Sequence, residues 1–140
     1  MRLLLVLMVS LLALGISHPA NSLEKNTRGL NEVSQEFALC YGYYSLVAIC
    51  LDPKKDASTA QSYRAFADVF LQGTYMAGKA AGLSDAALQA RATLSFAEMQ
   101  RDTDKDCRNI AVVLQKYSEK CKQMASDPEA AMKNIMEQYK

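Results

Sequence analysis

The four cysteines, Cys40, Cys50, Cys107 and Cys121, constrain the fold most, because both pairs that are close in sequence sit in segments with helical spacing. Apolar side chains recur at Val33, Phe37, Cys40, Tyr44, Val47 and Leu51, and again at Cys107, Ile110, Leu114, Tyr117, Cys121 and Met124. Alternating steps of three and four hold each set on one face of a helix. On continuous helices Cys40 and Cys50 stand about 15 Å apart, and Cys107 and Cys121 about 21 Å apart, at about 1.5 Å per residue. A disulfide needs Cα atoms within roughly 7 Å. Neither local pair closes, so the bonds must join the first of these helices to the last. Antiparallel neighbours then give Cys40 with Cys121 and Cys50 with Cys107. The two axial spacings differ by about 6 Å, and the helix start at Cys107 is where tilting or fraying is expected to absorb the mismatch.

Between these segments the sequence predicts two more helices. Leu51-Asp52-Pro53 ends the first, since the residue before proline is pushed out of the α region. A second helix is expected from about Ser58, with Tyr63, Phe66, Val69, Phe70, Gly73, Met76 and Ala80 inward and Gly82 as its stop. Ser84 then caps an alanine-rich third helix with Ala87, Ala90, Leu94 and Ala97 at core spacing. Asp102, Thr103, Asp104 and Asp106 suit the N-terminus of the fourth, and Asp127-Pro128-Glu129 opens a short last helix. No segment shows sustained strand alternation. Residues 30–140 therefore read as one all-α domain, an antiparallel four-helix bundle with a short C-terminal helical extension, cross-linked by disulfides. Residues 21–29 are polar and aperiodic, and are expected to form a flexible leader.

Residues 1–20 join a charged start, Arg2, to a nearly unbroken apolar run over residues 3–16 and a small-residue exit. This is the pattern of a secretory signal peptide, and the run is short of the roughly 18 apolar residues of a bilayer span. The expected product is periplasmic or secreted, has no stable membrane anchor after cleavage, and lies where cysteines oxidise. None of its asparagines opens an Asn-x-Ser/Thr acceptor, which favours a bacterial periplasmic chain over a eukaryotic glycoprotein.

Charge and composition exclude several functions. The chain carries 16 basic and 15 acidic side chains, and loss of Arg2 with the signal makes the two equal. A neutral chain with no basic run longer than Lys54-Lys55 argues against nucleic acid or anionic lipid as partner. The one histidine, His18, precedes the folded body, so Ser-His and Cys-His nucleophilic sets are absent and no catalytic residues are assigned. No Cys-x-x-Cys occurs, and no metal or cofactor is expected. The run from Asp102 to Asp106 imitates half a calcium loop, but Cys107 stands where glycine is needed and Val113 where glutamate is needed.

The remaining side chains of interest are the tyrosines of Cys40-Tyr41-Gly42-Tyr43-Tyr44. Tyr44 lies on the inward stripe, and Tyr41 and Tyr43 flank it as candidate contacts for a partner. The run Ala-Leu-Cys-Tyr-Gly-Tyr-Tyr over residues 38–44, with Asp-Cys-Arg-Asn-Ile-Ala-Val-Val-Leu-Gln-Lys-Tyr-Ser-Glu-Lys-Cys over residues 106–121, resembles a loose group of small exported proteobacterial proteins with no assigned activity. That resemblance implies a bacterial exported helical protein. The spacing of Cys40 and Cys50 is also similar to that of plant invertase and pectin methylesterase inhibitors, which are secreted four-helix proteins. Their early cysteines form a local hairpin bridge, whereas residues 40–50 here read as unbroken helix, and Cys107 and Cys121 are closer together than that family's later pair. The functional expectation is a non-catalytic protein that binds a protein partner, inhibitor-like or immunity-like. The alternative is a small-ligand or lipid carrier with a cavity between its helices.

Overall fold

The computed structural model describes residues 19–51 and 54–139. The expected signal segment, apart from its last two residues, lies outside them, as do Asp52 and Pro53 of the first helix stop. The described chain is all-helical: α1 (Pro19–Cys50), α2 (Ala57–Ala80), α3 (Asp85–Asp102), a 3-10 turn (Cys107–Asn109), α4 (Ile110–Ser126) and α5 (Pro128–Glu137). No helix among the described residues is long and apolar enough to cross a membrane.

α1 is the element against which all the others pack. Residues 37–51 contain no charged side chain, and a helix apolar all round must be covered all round. Val33, Phe37, Cys40, Tyr44 and Val47 are buried as the spacing predicts, and so are Ala38, Tyr43, Leu46 and Ala48 on other faces. Gly42 lets α3 come close, since a Cβ there would lie 3.1 Å from the backbone of Ser95 and Phe96. Helix ends follow local chemistry. Gly82, at φ 83°, closes α2 while the Leu83 N–H reaches the Gly78 carbonyl at 2.9 Å. Ser84 accepts from the Ala87 N–H and Asp127 from the Ala130 N–H, capping α3 and α5.

Two disulfides clamp α1 to the α4 region. Cys40 joins Cys121 and Cys50 joins Cys107, with Cα atoms 5.4 and 5.2 Å apart. As α1 advances from 40 to 50 its partner retreats from 121 to 107, so α4 runs opposite to it. Cys107 sits in the 3-10 turn capped by Asp106 and not in α4, and this is where the unequal spacings are reconciled. The Cys40 Sγ also lies 3.7 Å from the Met124 Sδ, a packing contact, because a disulfide sulfur has no proton to donate. Lys120 meets Glu36 in an ion pair between the same elements, and Asp102 at the end of α3 accepts from Lys116 of α4 at 3.0 Å and from the Tyr117 hydroxyl at 3.3 Å.

The structure corrects four expectations. Residues 21–29 are helical, the start of α1, with residues 22–28 exposed and Gly29 buried. Lack of an apolar stripe there rules out burial but leaves a solvated helix open. Asp102 and Thr103 end α3, whereas they were expected to begin α4. α3 turns Leu88, Ala92, Ser95 and Met99 inward and leaves Leu94 exposed, because the small Ser95 admits Gly42. α2 buries Ala60, Ala67, Phe70, Thr74, Ala77 and Gly78, while Phe66, Val69 and Met76 of the expected core are exposed.

Candidate partner-binding furrow

The apolar residues of α2 cover about half its circumference, more than its neighbours cover. One half packs on α1 and α3. The other half, Phe66, Val69, Gly73, Met76 and Ala80, recurs at three- and four-residue steps and contains no charge. Val69 is 53% exposed and Met76 74%. Gly73 belongs to both halves: its missing Cβ leaves the place taken by the Phe37 ring, which such an atom would meet at 2.2 Å.

This open half forms one wall of a mostly apolar groove of about 400 Å³, with Leu30, Val33 and Phe37 of α1 as its floor and Pro128, Glu129 and Met132 of α5 opposite. Toward the other end of α2, Tyr63 and Phe66 face Lys122 and Ala125 of α4 across Tyr44 in a second recess of about 300 Å³. Together the two recesses follow α2 from Tyr63 to Ala80, about 25 Å at 1.5 Å per residue. The floor is a fixed aromatic stack: Phe70 meets Phe37 edge-on at 5.4 Å and stacks on Tyr44 at 5.5 Å, and Tyr44 stacks on Phe66 at 5.1 Å. The Tyr44 hydroxyl donates to the Cys121 carbonyl at 3.2 Å, so the disulfide helix anchors the floor. Burial, with Tyr63 beside it, pushes the Tyr44 phenol up to about 12 and keeps it a donor.

No family model, curated protein or solved structure matches the chain. The site is therefore described from its own residues. Tyr43, expected at a partner surface, is wholly buried with its ring 5.0 Å from Tyr44 and 6.5 Å from Tyr63. The face on which it lies is covered because α1 is surrounded. Tyr41 is half-buried in a separate groove of about 420 Å³ between α1, α2 and α3, beside Ile49, Leu71, Phe96 and the charged Arg64 and Asp68. The two tyrosines are thus not one patch. The furrow residues were visible in the sequence as an apolar stripe. The excess width of the apolar sector on α2 signals that some of it must stay open, but not which part. Among the described residues no group of three or more His, Cys, Asp or Glu is placed to hold a metal ion.

Proposed function

We propose that the chain is an exported, non-catalytic protein of the inhibitor or immunity type that binds a protein partner through the furrow along α2. The observation that carries this is the open, charge-free half of α2: a face with core composition, rigidly floored and about 25 Å long, which suits an amphipathic helix laid into it. Two disulfides support a compartment outside the reducing cytoplasm, and the resemblance to small exported proteobacterial proteins agrees. The antiparallel bundle arrangement is part of this reading, with the furrow as the side of the bundle left unsealed between α2 and the α4–α5 end. A carrier would need an enclosed cavity, whereas Phe37, Phe70 and Tyr44 fill the space beneath the furrow and leave it open to solvent.

A photo-crosslinking side chain placed at Met76, with one at exposed Leu94 on α3 as control, tests the proposal in an extract of exported proteins. A discrete protein adduct at position 76, absent at 94 and lost on Val69→Glu, is the expected result. Equal labelling at both positions, or capture only of an apolar fluorescent probe, would contradict it, and the second outcome would favour the carrier.

A further inference from the structure

We propose that the groove between α1, α2 and α3 binds a small zwitterion with an aromatic side chain, an aromatic amino acid, with Arg64 meeting its carboxylate and Asp68 its ammonium. Two helical stripes line this groove. α1 presents Tyr41, Ser45 and Ala48, and α2 presents Arg64, Ala67, Asp68 and Leu71, each at three- and four-residue steps. Ala48 and Ala67 are buried, and as the smallest side chains of their stripes they make the hollow. Its volume of about 420 Å³ falls within the roughly 300–1,000 Å³ of small-molecule sites. Four polar groups stand around that floor: the Tyr41 and Ser45 hydroxyls, the Arg64 guanidinium and the Asp68 carboxylate. None of these four side chains hydrogen-bonds or ion-pairs with another among the described residues. Arg64 and Asp68 are one helical turn apart, with the cation first, which is the poorer order for pairing along a helix. Both charges are left for a third group. A carboxylate accepts from the guanidinium fork, and an ammonium donates to Asp68, whereas a simple anion or amine would match one charge and meet the other unfavourably. The Tyr41 and Phe96 rings at the groove suit an aromatic side chain. At about 100° per residue these α2 positions lie on the flank opposite Val69 and Met76. The site is therefore separate from the furrow, and its test does not depend on the crosslinking result at Met76.

Chemical-shift titration of the disulfide-bonded chain with L-phenylalanine tests the site. The expected result is saturable shifts at the Ala48 and Ala67 methyls and the Tyr41 and Phe96 rings, with Leu94 unmoved, and a Kd on the order of millimolar, as suits so small a ligand. Arg64→Gln should weaken phenylalanine about fivefold, the upper scale for an exposed ion pair, without weakening phenylalanine amide, which has no carboxylate. Asp68→Asn should weaken phenylalanine to a similar extent without weakening N-acetylphenylalanine, which has no ammonium. Arg64 and Asp68 are exposed, so helical circular dichroism should be unchanged in both variants. Absence of saturable shifts through the millimolar range overturns the proposal, as do equal shifts with glycine. Variants that weaken the charge-deleted analogues as much as phenylalanine itself also overturn it.

Discussion

Tyr43 and Tyr44 are neighbours in one helix, both buried, and differ by one hydrogen bond. Tyr44 donates to the Cys121 carbonyl, whereas the Tyr43 hydroxyl is buried with no hydrogen-bond partner among the described residues. Tyr43→Phe is therefore expected to leave stability unchanged or raise it by up to about 1 kcal/mol, and Tyr44→Phe to cost about 1 kcal/mol. Denaturant midpoints at constant slope check this, and the reverse order would contradict the packing described. Both phenols are held above their ordinary value of 10.0, chiefly by burial, Tyr44 at about 12. The folded chain binds these protons more tightly than the unfolded chain. Their contribution is therefore complete below the unfolded value of 10.0 and is lost as pH rises through the folded values, near 12 for Tyr44 and higher for Tyr43. Ultraviolet titration should show two tyrosines ionising only as helical signal is lost. Ionisation of all of them near the ordinary value with the fold intact would contradict it.

At the scale of elements, the two cross-links differ in access. Cys40 and Cys121 are fully buried, while Cys107 is exposed in its 3-10 turn and Cys50 is half-buried. The bonds span separations of 81 and 57 residues. Loops of that length correspond to about 4 kcal/mol each as a chain-entropy ceiling, less for the second because one loop encloses the other. Limited reduction should open Cys50–Cys107 first and leave a helical species with Cys40–Cys121 intact. Peptide mapping that finds Cys40 and Cys121 alkylated first would contradict this. The same elements show what the sequence made legible. Helix ends were readable because Ser84, Gly82 and Asp127 act locally, and the bridge pairing because 1.5 Å per residue forbids the local alternatives. Helix registers were less so. On α2 apolar residues fill half the circumference and do not say which part is covered. On α3 the inward Ser95 is polar, while the outward Leu94 has core character.

At the scale of the whole molecule, the account turns on one asymmetry: α1 is enclosed on nearly every side, while α2 keeps half its apolar face open. Tyr41 lies outside that face, in the groove toward α3, and Tyr43 is wholly buried. Neither candidate tyrosine marks the furrow, whereas the exposed Val69, Met76 and Met132 do. Methionine oxidation by dilute peroxide, read residue by residue, tests this most directly, because the thioethers sample both environments. Met76 is 74% exposed, Met132 38%, Met124 5% and Met99 1%. In dilute protein Met76 should oxidise first, Met132 next, and Met99 and Met124 only on unfolding. With the captured partner present, Met76 should slow on the order of tenfold or more, as thioethers removed from solvent do. Early oxidation of Met99 with Met76 protected in the dilute chain would contradict the register of α2. A Met76 rate unchanged by the partner would contradict the claim that this face is made to be covered.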